Sequence, residues 1–240
     1  MRIMVSHQTG KNFDPLADRY VAYGLIGHIY SPGGWRTPQW RYPYALDNGA
    51  FGSWLHGKPF DDDRFLRFCE KAAAQKQPPM WLVVPDVVAD RDATLRSWDL
   101  WAPILRRDFG WPLAFALQDG MTDADVPGDH SLLFLGGTMP WKLATLRHWC
   151  QTWGRVHVAR VNRVSLLYRC HELGAESVDG TGWWHTKSGQ YRGLCTWLAQ
   201  SAGETPKERR EQGLLFGVQD EWYPADADGH AAEARREVGG

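Results

Sequence analysis

The sequence lacks an apolar run near the length of a membrane span, so no stretch of it reads as a transmembrane helix. It contains no CxxC pair. The four cysteines, Cys69, Cys150, Cys170 and Cys195, each fall in a helix-like segment, so buried thiols are expected rather than disulfides or a zinc site. Net charge is nearly absent: 27 Lys and Arg against 28 Asp and Glu leave −1. The chain as a whole is therefore not a basic nucleic-acid binder, and any nucleic acid must meet a local patch. No GxGxxG lies near the first strand-like run and no GxSxG elbow occurs, which weakens dinucleotide-binding and serine-hydrolase readings. No HxH or His-rich strand end is present. His7, His157 and His185 lie on or near strands without matching spacing, so metal-assisted hydrolysis is weakly supported. The opening "MRIMVSHQTG" is a charged start and a short strand-like run rather than a signal peptide, and a soluble cytoplasmic protein is expected.

What is present is a foldable, tryptophan-rich chain. At 240 residues, 43% hydrophobic and 23% charged, it can bury a sizeable core. Most of its fourteen tryptophans are expected in that core, with several beside Gly and Arg suited to stacking on bases or sugars. Eight short apolar runs recur: "RIMVSH", "GLIGHIY", "YALDNG", "WLVVPD", "LAFALQ", "LLFLGG", "VHVARV" and "SVDGTG". Several are near-continuously apolar, as parallel strands buried on both faces require.

Amphipathic helices separate the later runs. "DDDRFLRFCEKAAAQ" opens on acidic residues and sets Phe65, Phe68, Cys69 and Ala72 on one face. "DRDATLRSWDLWAPILRR" carries Leu95, Trp98, Trp101 and Leu105 at helical spacing, with Pro103 placed to bend it. Three more helices follow: "PWKLATLRHWCQTWG", "RVSLLYRCHELG" and "QYRGLCTWLAQSAG". Eight strands with helical crossovers predict an α/β fold, a (β/α)8 barrel of TIM type over residues 1–203. The first two crossovers read as irregular, and an open doubly wound sheet is the alternative. Residues 204–240 read as a polar C-terminal extension.

In such a barrel chemistry sits at the C-terminal strand ends. The third run ends in Asp47, the fourth in Asp86, the fifth in Gln118 and the sixth in Gly136-Gly137. The eighth ends in Asp179. Each has an ordinary explanation as a turn or cap residue, and Asn48-Gly49 is a strong turn signal. Jointly, three carboxylates, a carboxamide and a diglycine at five strand ends exceed turn composition. Two carboxylates without a metal suit an acetal or glycosidic carbon, one as nucleophile and the other handling protons. Asp86, Gln118 and the diglycine amides offer the acceptors and donors that a flat heterocycle such as a purine needs.

The order of these motifs resembles the tRNA-guanine transglycosylase superfamily. "LDNGAF" is similar to its DSGGF-type motif, and "PDVVADRD" falls where it has a base-recognising Asp. "FALQDG" resembles its VQGG segment, "FLGGT" its GGLAVGE segment, and "GAESVDGTGW" the segment with its nucleophilic Asp. The series covers residues 45–183. The resemblance implies Asp179 as nucleophile on C1′ and Asp47 in proton transfer. It implies Asp86 on the guanine edge, with Gln118, Gly136 and Gly137 on its carbonyl side. Phe51 would stack on the base, and Asn48, with Ala50, stands where the family has Ser and Gly. Arg160 and Asn162 replace small residues usual after the seventh strand.

The family's CxCxxC…H zinc site is missing, and residues beyond the eighth unit leave little room for an RNA-binding appendage. In this the chain is most similar to reduced barrels that act as 7-deazaguanine DNA transglycosylases. The implied activity replaces guanine in DNA with a 7-deazaguanine derivative, without metal or organic cofactor. The implied partners are DNA with a flipped guanine nucleotide and the free base, with room for helper proteins or a homodimer and with no membrane. The same chemistry on tRNA, a carboxylate-pair glycoside hydrolase and a barrel retained only for binding are the alternatives. A positive patch for DNA would draw on Arg155, Arg160, Arg163 and Arg169 near the seventh unit, with Lys187 and Arg192 after the nucleophile. Arg160, Arg163, Trp183, His185 and Lys187 are the expected nucleic-acid contacts, with Trp184 beside them.

Overall fold

In the computed structural model the apolar runs become eight parallel strands that close on themselves in chain order. The structure describes residues 1–6, 13–38, 42–184 and 189–204. The strands are β1 (Arg2–Ser6), β2 (Ile26–Tyr30), β3 (Tyr44–Leu46), β4 (Leu82–Val83), β5 (Leu113–Leu117), β6 (Leu132–Leu135), β7 (Val156–Val158) and β8 (Ser177–Asp179). Closure is made by β8 against β1, where Ile3 stands beside Val178 and Met4 beside Asp179. An open sheet would leave those two edges unpaired, so the barrel is the architecture and the doubly wound alternative falls.

The helices among the described residues are α1 (Asp14–Tyr20), α2 (Ala50–Leu55), α3 (Asp62–Ala73), α4 (Arg91–Phe109), α5 (Met139–Thr152), α6 (Val164–Glu172) and α7 (Gly189–Ser201). In α3, Asp61 caps the first turn by accepting from the Arg64 N–H at 2.9 Å. Phe65, Phe68, Cys69 and Ala72 are its buried face, as their spacing predicts. Phe65 is fully buried and meets Trp101 edge-on at 5.6 Å, so Phe65→Ala would cost about 3–5 kcal/mol. α4 runs through Pro103 and buries Trp98, Trp101 and Leu105, while Leu95 is only partly covered. The early crossovers are irregular: α1 and a single 3₁₀ turn join β1 to β2, and the described residues between β2 and β3 hold no helix. Helix α2 was not anticipated from sequence; it starts at Gly49, which takes φ 83°. All four cysteines are buried and free. No helix among the described residues is long and apolar enough to cross a membrane. Residues 205–240, most of the expected extension, lie outside the described residues; Glu204 pairs with Arg19 at 2.8 Å.

Alternation along the strands decides what enters the barrel. Met4, Ile29, Ala45, Trp81, Val83, Ala114, Ala116 and Leu132 form one inner cluster, with Phe134 packed on it. The small alanines leave space for the Trp81 indole, a large-against-small filling of the kind such barrels use. Two residues further along, the same inward parity passes from Ala45 to Asp47, from Ala116 to Gln118 and from Ser177 to Asp179. Asp47 and Gln118 therefore lie just past the ends of β3 and β5, and Asp179 in the last pair of β8, on one rim.

Candidate active site at the C-terminal rim

Asp179, the last residue of β8, keeps 16% of its side chain exposed. Its Oδ1 accepts from the Arg160 backbone N–H at 2.9 Å and meets His157 Nε2 at 3.2 Å. Burial pushes its carboxyl up, but the His157 hydrogen bond and attraction, the Arg160 N–H and the Lys142 ammonium together pull harder. The net result lies below the usual carboxylate range, and Asp179 is ionised at neutral pH. Arg160 can donate this bond because it adopts the left-handed region at φ 58°. Gly180 follows without a side chain for a steric reason: a Cβ there would fall 2.3 Å from the Val161 carbonyl oxygen.

Asp47 follows β3, tied by its own N–H to the Tyr30 carbonyl at 2.7 Å. Its side chain accepts from the Gly49 N–H at 2.9 Å, an Asx turn. Burial raises its carboxyl, repulsion from Asp179 adds to that, and Gly49, His157 and Arg160 pull partly back, leaving it at about 6. The rim therefore holds one ionised carboxylate and, electrostatically coupled to it, one whose raised value of about 6 leaves a minor protonated fraction at pH 7. Such a separation assigns nucleophile and acid–base roles to a carboxylate pair.

Asp86 is gripped on both oxygens. Asn48 Nδ2 donates to Oδ1 and Gln118 Nε2 donates to Oδ2, each at 2.6 Å. Both amides are themselves oriented by backbone donors. Asn48 Oδ1 accepts from the Ala50 N–H at 2.7 Å, and Gln118 Oε1 from the Ala89 N–H at 2.9 Å. Ala89 reaches Gln118 from the left-handed region at φ 60°. Ala89 and Arg160 are the non-glycine residues with positive φ among the described residues, and both serve a rim carboxylate. Backbone strain of this kind concentrates at functional sites. Burial, reinforced by Asp47 and opposed by Asn48 and Arg160, lifts Asp86 to about 7.

Arg160 also closes the rim with its side chain. Its guanidinium lies over the Phe51 ring at 4.1 Å and donates to the Gly137 carbonyl. Phe51 is half-buried and tilts against Trp54, 5.7 Å away and 45% exposed. Gly137 takes φ 67°, and a Cβ there would stand 2.6 Å from Asp119 Oδ2. Asp119 itself is a structural latch, accepting from the Thr138 N–H at 2.7 Å and the Thr138 hydroxyl at 2.5 Å.

The structure thus brings together Asp47, Asn48, Phe51, Asp86, Gln118, Gly137, Arg160 and Asp179. Several expected roles change. Asn48 and Gln118 are 2% and 1% exposed, with their amides committed to Asp86, so they hold that carboxylate rather than face the open rim. The Gly136 N–H is spent on the Leu117 carbonyl at 3.1 Å, leaving Gly137 as the diglycine donor without an acceptor among the described residues. Trp183 is wholly buried in the main core cluster, so it is core rather than a nucleic-acid contact. The arginines do not form one patch. Arg155 precedes β7, at the opposite end of the barrel from Arg160, and forks onto Glu176 at 2.6 and 2.9 Å. Arg163 is half-buried at the start of α6, on the rim side. His185 and Lys187 lie outside the described residues, as do His7 and the side chain of Trp184.

His157, Ser177 and Ala89 were missed as site residues. The legible signal was parity: Ser177 and Asp179 alternate onto one face, and His157 is the polar member of an otherwise apolar strand. Among the described residues, no group of three His, Cys, Asp or Glu is arranged to hold a metal ion.

No protein-family model matches the chain, and no curated protein matches it in sequence. Its shape is similar to that of a cube-shaped, highly porous protein cage designed by fusing symmetric oligomeric domains. That likeness has 10% identity and a TM-score of 0.40, over 91% of this chain and 79% of the other. It is also similar to a native KDPGal structure, at 10% identity and a TM-score of 0.40, over 90% of this chain and 97% of that one. Likenesses this distant carry no argument about chemistry, which rests on the rim itself.

Proposed function

We propose that the protein is a base-exchanging DNA glycosyltransferase that replaces guanine with a 7-deazaguanine derivative through a covalent intermediate on Asp179. The observation that carries this reading is the pair of unlike carboxylates, Asp179 ionised and Asp47 raised to about 6, beside a third carboxylate held rigidly by two amides. A glycosidase needs the first two. A carboxylate clamped between Asn48 and Gln118 adds a fixed acceptor suited to the N1–H and 2-amino donors of a guanine edge.

In the proposed reaction Asp179 Oδ2 attacks C1′ of the nucleotide. The C1′–N9 bond breaks, its electron pair leaves with the base, and protonated Asp47 supplies the proton that makes free guanine neutral. The incoming 7-deazaguanine gives its N9 proton to Asp47 and attacks the same carbon. The ester bond to Asp179 breaks, and both carboxyl groups return to their starting states. Phe51, whose ring the Arg160 guanidinium covers, would stack on the base in its place, and the Gly137 N–H would donate toward the base carbonyl. Arg163 on the rim side, and Arg160 if its guanidinium leaves Phe51 and the Gly137 carbonyl, would meet phosphate.

Incubation with DNA and, separately, with tRNA in the presence of labelled guanine tests this. Label entering DNA, with a protein–DNA adduct on Asp179 by mass spectrometry, supports it. Label entering only tRNA moves the activity to RNA. Sugar release from oligosaccharides without base exchange replaces the reading with a glycoside hydrolase.

A further inference from the structure

His157 lies inside the barrel with none of its surface exposed. The Phe134 ring stacks on it at 4.9 Å and 14°, and Trp81 packs against it at 5.0 Å. Amid these apolar walls both ring nitrogens are used. Nδ1 meets the Ser177 hydroxyl at 2.8 Å and Nε2 meets Asp179 Oδ1 at 3.2 Å. Strand register places the first pair, because His157 and Ser177 are direct partners across β7 and β8.

The proton positions follow from the partners. An ionised carboxylate only accepts, so Nε2 carries the hydrogen that points at Asp179. The Ser177 hydroxyl can donate to Nδ1 when the ring is neutral and accept from it when the ring is protonated. The chain Ser177–His157–Asp179 therefore survives either state of the imidazole. Both donors to Asp179, His157 Nε2–H and the Arg160 backbone N–H, converge on Oδ1. Oδ2 receives no donor from the described residues.

We propose that His157, oriented by Ser177, is a positioning residue that anchors Oδ1 of Asp179 and so presents Oδ2 as the attacking oxygen. This rests on the reading of Asp179 as nucleophile. When Oδ2 bonds to the anomeric carbon, the base leaves with the electron pair of the broken bond, and Oδ1 becomes the ester carbonyl. It goes on accepting from the same two donors, so no proton moves on His157. When the second base displaces the ester, negative charge returns to the carboxylate, and the two donors stabilise it as the leaving group.

The test uses the full chain with His157→Phe, which keeps a ring between Phe134 and Trp81 but removes both nitrogens. His157→Gln, which restores an N–H donor, is the rescue. The charged and titratable groups facing Asp179 are His157 from β7, Arg160 from the loop after it, Lys142 from α5 and Asp47 from the loop after β3. The first readout is a carboxylate ¹³C titration of Asp179, which needs no substrate. Its midpoint should rise in His157→Phe and return toward wild type in His157→Gln. The second is exchange on DNA, where kcat should fall about 10- to 100-fold with KM little changed. If His157→Phe does not fold, Ser177→Ala carries the same test with a smaller shift in the same direction.

An unchanged Asp179 midpoint in the folded variant overturns the proposal. A shifted midpoint in a protein that exchanges no base, even as wild type, leaves the anchor standing and removes the transglycosylase reading. A shifted midpoint with undiminished exchange overturns the role in presenting Oδ2.

Discussion

Asp86 and Asp179 are the same side chain on the same rim, each partly covered and each bound by two N–H donors, yet they titrate far apart. Asp86 is bound once on each oxygen by neutral amides; burial, with repulsion from Asp47 added, lifts it to about 7. Asp179 has both donors on one oxygen, and the His157 hydrogen bond and attraction, the Arg160 N–H and the Lys142 ammonium outweigh its burial, so it stays low. With two side-chain or loop N–H donors each, the two carboxylates differ in acidity through the balance of burial and neighbouring charge. On the proposed function, two oxygens each engaged once would make a rigid acceptor for recognition, and one oxygen anchored with one left open would make a nucleophile.

The sharpest way to break the comparison is at Asp179. Asp179→Asn keeps the shape and removes the charge; exchange should fall by ~10⁴-fold or more, as when a covalent nucleophile is lost. Mass spectrometry should find no adduct, while DNA binding persists in a mobility-shift assay. Full activity in this variant would take the nucleophile away from β8.

Asp86→Ala should act on choice of base. Discrimination between guanine and purines lacking its 2-amino group should drop by ~100-fold, measured by competition in the exchange assay. Selection that survives the substitution would place the reader elsewhere.

A gentler test uses pH. The carboxylate of Asp86, not the acid, accepts two N–H donors from a base, so its binding is weakened by proton uptake. With the group at about 7, base affinity should rise as pH passes upward through that value, and fall by up to about tenfold per unit below it. Asn48 holds the group down, so Asn48→Ala should move this transition to higher pH. Calorimetric titration of the free base between pH 5 and 8.5 reads both; a flat profile would contradict the linkage.

The smallest effect belongs to the strained backbone. Ala89→Gly relieves the left-handed conformation while leaving the N–H that orients Gln118, and should stabilise the fold by ~1 kcal/mol in denaturant unfolding with exchange unchanged. Lower stability would mean that Ala89 carries no strain.

The barrel was legible because a strand buried on both faces must be apolar almost throughout, and several of the eight runs are, with helices of 3.6-residue period between the later ones. The carboxylates were legible by position, since Asp47, Asp86 and Asp179 each end an apolar run. What lay hidden was partnership. Asn48 and Gln118 read as contacts for a base because nothing in one dimension says that their amides are spent on Asp86 across two neighbouring loops. Trp183 read as a nucleic-acid contact because it follows Asp179 by four residues toward the mouth, but the structure buries it wholly in the core. Arg155 and Arg160 are five residues apart and seemed one patch, but a strand of three residues between them carries them to opposite ends of the barrel.

By itself the sequence determined the order and parity of the strands, the apolar faces of α3 and α4, and the set of polar residues that must surface at one rim. Those follow from local periodicity, which does not depend on what packs across the barrel. Only the tertiary structure decided which donors reach which carboxylate oxygen. It set His157 against Ser177 through strand register, and it put Ala89 and Arg160 in left-handed backbone so that their N–H groups reach their acceptors. Hydrogen bonds between residues twenty or thirty positions apart need closure of the barrel before they exist, and the separation of Asp47, Asp86 and Asp179 in acidity arises from that closure.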